Sequence, residues 1–141
     1  MMYQLCYASQ AKSNAEHLLQ DLRDILSEAR DFNVRHQIKG VLCYADGVFF
    51  QCLEGEQDVV LGLLDKIRFD QRHHAVNILS TRETDSNAHF QDWSMKYIGR
   101  HSEIHQYFEQ LGLQQFNPLL LQQQSLQNFL ELLYHLPEQP L

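Results

Sequence analysis

The sequence lacks the features that mark membrane-spanning, secreted and nucleic-acid-binding proteins. No apolar run approaches the eighteen or so residues that a membrane span needs, and the N-terminal residues lack the basic region and cleavage pattern of a signal peptide. The formal net charge is −7, and no Lys or Arg follows Arg100. Because a nucleic-acid backbone demands a basic footprint, this balance argues against direct nucleic-acid binding. We therefore expect a cytoplasmic protein that binds neither membranes nor nucleic acid directly.

Cysteine is also scarce, with three residues in the chain: Cys6, Cys43 and Cys52. An odd count without paired spacing argues for reduced, packed thiols and against a disulfide framework.

Motifs of the common enzyme and metal-site classes are absent as well. The sequence has no GxSxG, Walker-type or GxGxxG pattern. Among its eight histidines, His101 and His105 are four residues apart and His73 and His74 are adjacent. No cysteine pair or acidic ligand stands at a recognised zinc spacing, so we expect no metal site. We also expect that the protein is not an enzyme.

What the chain does contain is an apolar hairpin, IKGVLCYADGVFFQCLEG, over Ile38–Gly55. Two runs rich in Val, Leu, Phe and Tyr flank an Asp-Gly pair, which is typical of a tight turn because such a turn needs positive φ at its centre. Side chains alternate along a strand, yet both faces of the second run are apolar. This pattern predicts an inner strand that is covered on both sides.

One polar side chain, Gln51, interrupts the second strand of this hairpin. It shares a face with Phe49 and Leu53, so its carboxamide should be buried, and each unmet polar group would cost about 1 to 3 kcal/mol. Tyr7 lies on the corresponding face of the first predicted strand and could meet Gln51 across the ladder if the two strands are neighbours. Periodicity alone favours a core tyrosine bonded to a core glutamine.

The other patterns place strands and helices on both sides of the hairpin. They predict a strand at Tyr3–Ser9, a helix that begins after Ser13 or Asn14 and ends near Phe32 and Asn33, a helix at Glu56–Phe69, and strands at Ala75–Thr84 and within Phe90–Ile98. With the hairpin, the order βαββαββ predicts an α+β, ferredoxin-like sheet with an added strand and two helices on one face. A short helix closed by Gly112 and another opened by Pro118 should form a C-terminal helical pair on the other face.

Five segments, spread in order over residues 5–97, carry a more specific signal. They are LCYAS at Leu5–Ser9, ARDFN at Ala29–Asn33, IKGVLCYADGVFFQCLEGE at Ile38–Glu56, DQRHHAV at Asp70–Val76 and FQDWSMKY at Phe90–Tyr97. Together they resemble the BLUF family, the blue-light sensors that use flavin. The combination is specific, although no single motif would be.

The resemblance implies a photoactive network on the sheet. Tyr7 matches the family's first-strand tyrosine, and Gln51 matches the glutamine that hydrogen-bonds the flavin ring near N5 and O4. Asn33 matches the asparagine that holds the O4/N3 edge of the ring. Trp93 and Met95 match the tryptophan and methionine of a WxM motif that is linked to signalling.

Further positions are implied around this network. Ser9 matches a serine that can partner the tryptophan. Four other residues correspond to positions that contact the flavin or its ribityl-phosphate portion in relatives: Lys66, Asp70, Arg72 and His73.

The resemblance also implies a function and a division of the chain. Residues 1–100 would bind FAD non-covalently, and residues 101–141 would form a helical extension packed on the sheet. Light-driven electron and proton transfer from Tyr7 to the flavin would rearrange the hydrogen bonds of Gln51. The last strand and the C-terminal helices would then signal to a downstream regulatory protein, such as a transcriptional regulator. We expect a homo-oligomer.

Three departures from the family pattern keep alternatives open. Phe32 stands where many relatives have Asn or His, Lys39 stands where Thr is common, and Lys96 replaces a small residue. Phe32 and Lys39 motivate the hypothesis of a BLUF-like interaction module that has lost flavin binding. A flavin-dependent redox enzyme is a third hypothesis, but no nicotinamide site or substrate base is visible.

Overall fold

Five strands and four α-helices make up the described part of the chain, which comprises residues 2–12, 14–84, 90 and 93–141 of a computed structural model. The strands are β1 (Met2–Ala11), β2 (Lys39–Ala45), β3 (Val48–Gly55), β4 (His73–Thr84) and β5 (Lys96–Ile98). The helices are α1 (Ala15–His36), α2 (Gln57–Arg68), α3 (Ser102–Gln110) and α4 (Gln123–His135), with a 3-10 turn at Pro118–Leu120. None of the helices within these ranges has the length and apolar character that a membrane crossing requires.

The strands form one sheet in the order β4-β1-β3-β2-β5. Neighbouring strands are antiparallel, except that β2 and β5 run parallel. This arrangement confirms the predicted α+β, ferredoxin-like plan with an added strand. Because β1 and β3 are neighbours at the centre, residues on their common face meet directly.

The two faces of the sheet belong to two separate cores. On one face, side chains such as Leu5 and Leu53 pack with α1 and α2. On the other face, the three free cysteines and Phe50 pack with α3 and α4 through residues such as Phe108 and Phe129. The C-terminal helices therefore cover the face that α1 and α2 leave bare, as the sequence predicts.

The hairpin turn has the predicted geometry. Ala45 pairs with Val48, so Asp46 and Gly47 alone form the loop. Their φ angles are 52° and 81°, both in the left-handed region that a tight hairpin turn requires. This short turn fixes the register of β2 and β3, and with it the face on which Gln51 lies.

Helix α1 extends to His36, beyond the predicted end near Asn33. Gln37 terminates it in the left-handed conformation, and the Gln37 backbone N–H donates to the Asn33 carbonyl. The last turn faces outward, with Val34 67% exposed. The apolar spacing, on which the predicted helix end was based, therefore stops one turn before the helical hydrogen bonds of the backbone do.

Strand β5 covers only Lys96–Ile98 of the predicted segment. The backbone N–H of Trp93 donates to the Phe90 carbonyl at 2.8 Å, which closes a turn rather than extending a ladder. Residues 91 and 92 lie outside the described residues. The apolar side chains of this segment are divided between the two cores. Their alternation therefore arises without strand pairing, and it predicted too long a strand.

The two predicted helix starts have different outcomes. Asn14 caps α1 by accepting a backbone hydrogen bond from its first turn, whereas Ser13 lies outside the described residues. Pro118 opens the 3-10 turn instead of the last helix. Helix α4 begins after Gln122, whose side chain and backbone exchange hydrogen bonds with Ser125 in a capping box.

Gly40 on β2 is expected to tolerate no side chain. A Cβ built there would overlap the backbone carbonyl oxygen of Cys52 on β3, whereas a Cβ on Gly62 in α2 would meet nothing within 4 Å. We predict that Gly40→Ala lowers the free energy of unfolding by about 1 to 3 kcal/mol. Gly62→Ala should raise it by about 0.5 to 1 kcal/mol, because alanine has the higher helix propensity. Urea unfolding of both variants tests this, and a Gly40→Ala protein as stable as the wild type would contradict the close approach.

Candidate functional site

Tyr7 and Gln51 lie directly opposite each other in the ladder between β1 and β3. Both side chains point toward α1 and α2 and are almost fully buried. The Tyr7 hydroxyl donates a hydrogen bond to Oε1 of Gln51. The two residues therefore form the polar pair that each needs in order to be buried.

The other end of the Gln51 carboxamide faces Met95. Gln51 Nε2 lies 3.7 Å from the Met95 sulfur, and Met95 is only 1% exposed. A thioether is a weak acceptor, and the amide NH₂ carries two donors. Gln51 thus has a strong partner on its oxygen and spare donor capacity on its nitrogen.

Beside this pair, a cavity of about 220 Å³ lies between α1, α2 and the sheet. Helix α1 contributes Ile25, Glu28, Ala29 and Phe32, and α2 contributes Leu63, Lys66 and Ile67. Strands β1, β2 and β3 contribute Tyr7, Leu42, Phe49 and Gln51. Strand β4 and the loop before it contribute Asp70, Arg72 and His73. Its walls combine apolar surface with a few convergent polar groups, as small-molecule sites do.

The ionic part of this lining is tied together by Arg72. Its guanidinium bonds both carboxylate oxygens of Glu28 at 2.8 and 3.1 Å, and it lies 2.5 Å from the Asp70 carboxylate. Burial opposes ionisation of Asp70, but hydrogen bonds from Arg72 outweigh it and lower the pKa of Asp70. The same bonds raise the pKa of Arg72. This cluster fixes the loop before β4 against α1.

Phe32 and Lys66 line the cavity from opposite helices. The Lys66 ammonium lies 4.6 Å from the centroid of the Phe32 ring, within cation–π distance, and the ring also stacks on His36 at 4.0 Å. Phe32 therefore has partners of its own at the edge of the cavity, and it does not fill the space.

Asn33 is buried but only half satisfied. Its Nδ2 donates to the Ser94 carbonyl at 2.6 Å. Its Oδ1 is buried and has no hydrogen-bond partner among the described residues. A native buried polar atom without a partner calls for a ligand or ordered water. The N3–H of a flavin ring is a donor of the kind that this oxygen lacks.

Ser9 and His73 form a second polar pair on this face. His73 Nε2 lies 3.0 Å from the Ile67 carbonyl, which can only accept, so Nε2 carries the proton. The unprotonated Nδ1 then accepts from the Ser9 hydroxyl at 2.8 Å. Ser9 thus bonds His73, and the structure does not bring it to Trp93.

Trp93 lies on the other side of the sheet from Met95. It is partly buried against the core formed with α3 and α4. Met95 belongs to the core formed with α1 and α2. Of the ten candidate residues, the structure brings together Tyr7, Gln51 and Met95, and it places Lys66, Asp70, Arg72 and His73 on the cavity wall. Asn33, Ser9 and Trp93 are not part of the cavity lining, although Asn33 follows the lining residue Phe32 on α1 and its buried Oδ1 has no partner among the described residues.

Sequence reasoning missed Glu28 and Arg30 on α1. Glu28 holds Arg72, and Arg30 Nε donates to the Met95 carbonyl at 3.1 Å. Glu28 could have been found, because Ile25, Glu28, Ala29 and Phe32 share one helical face and a charge within an apolar face points to a partner. The position of Arg30 gives no such signal.

Comparisons with known proteins support the family resemblance and the fold. A family model described as sensors of blue-light using FAD matches residues 2–96. The solved structure of BlsA in its photo-activated state is 52% identical, with a TM-score of 0.95, and covers 100% of both chains. The BlsA ground-state structure is 53% identical, with a TM-score of 0.94, over 99% of this chain and 92% of that chain.

Curated relatives match only a part of their own length. The photoactivated adenylate cyclase subunit beta of Euglena longa is 35% identical over 91 residues, which is 64% of this chain and 10% of that protein. The chain thus spans about a tenth of the curated relatives that it matches.

The buried His73 should make stability depend on pH. Burial is the main cause that lowers the pKa of His73 below its usual 6.5. The unfolded chain therefore binds the proton first, so stability is present above about pH 6.5 and is lost as the pH falls below it. We predict that His73→Gln flattens this part of the pH dependence, measured by urea unfolding of flavin-free protein, and that the exposed neighbour variant His74→Gln keeps it. Equal slopes in the wild type and His73→Gln would contradict the assignment.

Proposed function

The chain belongs to the BLUF family, the sensors of blue light using FAD, and we propose that it is a blue-light photoreceptor whose Tyr7–Gln51 pair is the light-reactive centre. The observation that carries the proposal is the hydrogen bond from the Tyr7 hydroxyl to Gln51 Oε1 in the wall of the α1–α2 cavity. A buried phenol bonded to a glutamine is common in protein cores. Here the bonded pair also lines a cavity, which is the feature expected of a ligand-binding site.

The described residues fit FAD. The cavity lies where the family's flavin would have to meet Gln51, and Asn33 Oδ1 supplies an acceptor with no partner of its own. We propose Asn33 and Gln51 for the polar edge of the ring, and Lys66, Asp70, Arg72 and His73 for the remainder of the flavin. Phe32 and Lys39 depart from the family pattern without closing the cavity.

Tyr7 is suited to give up an electron and a proton. When bound and excited by blue light, FAD supplies a strong one-electron oxidant. Burial, with a contribution from Asp70, raises the pKa of Tyr7 above its usual value, so the phenol keeps its proton in the dark. A phenol that has lost an electron is a strong acid, and its hydrogen bond to Gln51 Oε1 offers the proton a route.

Gln51 can retain a changed hydrogen-bond arrangement after the transfer, because its carboxamide presents an acceptor on one side and donors on the other. In the present arrangement Oε1 faces Tyr7 and Nε2 faces the Met95 sulfur. A rotated or tautomeric carboxamide would change both contacts. Among the described residues only the weak sulfur contact holds the nitrogen, so the bond from Tyr7 is the one strong hydrogen bond that a rotation must replace.

Met95 connects this pair to the C-terminal segment. Its carbonyl accepts from Arg30, and Arg30 also bonds Glu138 at 2.5 Å. The next residue, Lys96, is 3% exposed and donates to the carbonyls of Leu133 and Tyr134 in the last turn of α4, both at 3.0 Å. We propose that residues 1–100 act as the sensor and that residues 101–141 carry the output.

The output would be an altered equilibrium with a partner. Differential contacts of about 1 to 3 kcal/mol shift such an equilibrium five- to 150-fold. We propose a downstream regulatory protein, such as a transcriptional regulator, as the partner of α3 and α4, with the photoreceptor itself a homo-oligomer. The Euglena relatives are named as subunits of photoactivated cyclases, whereas we assign no catalytic activity to this chain.

Tyr7→Phe tests the light-reactive pair. We predict that wild-type protein loaded with FAD shows a small, reversible red shift of its flavin absorption after blue illumination. Tyr7→Phe should bind FAD and show no shift, because the electron and proton donor is gone, whereas Tyr3→Phe on the same strand should behave as the wild type. A Tyr7→Phe protein with a normal photocycle would contradict the mechanism. A wild-type protein that takes up no FAD on refolding would favour the interaction module instead.

Lys96→Met tests the route to α4. Loss of the ammonium leaves two helix-terminal carbonyls without their donor, at a cost of about 1 to 3 kcal/mol. We predict an unchanged flavin red shift and faster amide hydrogen exchange in the last turn of α4, with no difference between light and dark. Arg23→Met, which removes a charge from the exposed surface of α1, should keep the light-dependent exchange. A full light response in Lys96→Met would contradict the route.

A further inference from the structure

The open edge of β5 is covered by the residues that follow α4. Strand β5 has a strand neighbour, β2, on one side only. On its other side lie residues 136–141, LPEQPL, which we call the post-α4 segment. The Gln139 backbone N–H donates to the Tyr97 carbonyl at 2.9 Å. The post-α4 segment therefore makes the kind of main-chain contact that an added strand makes with a sheet edge.

The side chain of Gln139 makes a second contact with this edge. Its Oε1 accepts from the Gly99 backbone N–H at 3.0 Å. Gly99 permits this close approach, because a Cβ built there would lie 3.2 Å from the same oxygen and 3.1 Å from the Tyr97 hydroxyl. The edge thus offers Gln139 one main-chain acceptor and one main-chain donor, two residues apart.

An ion pair holds the same segment to α1. Arg30 bonds the Glu138 carboxylate at 2.5 Å, and its Nε donates to the Met95 carbonyl at 3.1 Å. One guanidinium therefore bridges the residue before β5 and the carboxylate of the post-α4 segment. An extended segment on this edge is selected for an acidic residue directly before the residue that pairs with Tyr97.

Few contacts hold the post-α4 segment on the edge. Leu136 is extended, with φ −70° and ψ 142°, as is favoured before a proline. Pro137 and Pro140 have no N–H, so they cannot donate to the edge on either side of Gln139. The Arg30–Glu138 pair is partly exposed, and exposed ion pairs contribute little. The segment is therefore shaped for the edge yet weakly held there.

Met95 links this edge to the light-reactive pair. Its sulfur lies 3.7 Å from Gln51 Nε2, and its carbonyl accepts from Arg30. A change at Gln51 that moves Met95 alters the hydrogen bond that places Arg30, and with it the ion pair to Glu138. The contacts of the post-α4 segment therefore depend on the arrangement of Gln51.

We propose that the post-α4 segment is an internal ligand of the β5 edge, and that after illumination an extended acidic segment of a partner protein takes its place. The partner segment pairs its main chain with Tyr97 and places a carboxylate at Arg30. The two segments exclude each other, so the chain's own segment blocks docking in the dark. This inference rests on the proposed function, because light acts on the edge through Gln51 and Met95.

Peptide binding in the dark tests the docking edge. The probe is a synthetic peptide with the sequence of residues 135–141, HLPEQPL, labelled with a red-absorbing dye. Glu138→Gln with Gln139→Pro, the open variant, removes the carboxylate and the N–H that hold the chain's own segment. It should bind the peptide about tenfold more tightly than the wild type, whose own segment competes at high effective concentration. A peptide carrying Glu138→Gln should bind the open variant about fivefold more weakly.

A matched control makes the same two kinds of change on α4. Glu131→Gln with Gln123→Pro removes an exposed carboxylate and places proline at the first helical position, where its missing N–H is tolerated. This variant should bind the peptide as the wild type does. The open variant and the control, loaded with FAD, should both keep the flavin red shift, which shows that they fold.

Illumination of the FAD-loaded wild type tests the link to light. Hydrogen exchange at the Gln139 amide should be faster in the light than in the dark, because the bond to the Tyr97 carbonyl is then released. The affinity for the peptide should rise about tenfold. Both changes should reverse as the flavin absorption recovers.

The failures of this inference and of the proposed function are distinguishable. If the open variant binds the peptide no more tightly than the wild type, or binds the Glu138→Gln peptide equally well, the β5 edge is not the docking site. A normal flavin red shift with unchanged exchange at Gln139 contradicts the light-driven replacement while the proposed function stands. If the wild type shows no red shift, the proposed function fails and the light-driven replacement fails with it.

Discussion

The hydrogen bond between Tyr7 and Gln51 is the constraint on which the rest of the site depends. Two polar side chains in the middle of a sheet can be buried only if each satisfies the other, and the direct pairing of β1 with β3 makes this possible. The Asp46-Gly47 turn fixes the register of β2 and β3, and with it the face on which Gln51 lies. Among the described residues, the amide nitrogen of Gln51 has only a sulfur contact, and this weak second contact makes the pair adaptable.

In the proposed function, the sheet also separates detection from output. Tyr7 and Met95 belong to the core under α1 and α2, where Gln51 contacts both, whereas Trp93 packs against the core under α3 and α4. Two adjacent residues, Met95 and Lys96, connect the two sides, because successive side chains of an extended segment point in opposite directions. The contact with Gln51 and the cap on α4 are therefore one peptide bond apart.

Sequence patterns predicted the fold well because both faces of the central strands are apolar. That feature alone required two helical layers, and the Asp-Gly turn fixed the hairpin. The patterns failed where apolar spacing and backbone hydrogen bonding diverge, at the last turn of α1 and in the short β5. Within the site, the sequence motifs were enough to identify Tyr7, Gln51 and Met95. The pairing of Ser9 with His73 could not, because it depends on a histidine tautomer set by the Ile67 carbonyl.

The central claim is that the ring of FAD lies in the α1–α2 cavity and completes the hydrogen bonds of Gln51 and Asn33. A crystal structure of the FAD-loaded protein, determined in the dark, measures this directly. The account predicts the ring between α1 and α2, with the carboxamides of Gln51 and Asn33 within hydrogen-bond distance of its polar edge and Tyr7 still bonded to Gln51. A ring bound elsewhere, or a Gln51 carboxamide turned away from both the ring and Tyr7, would contradict it.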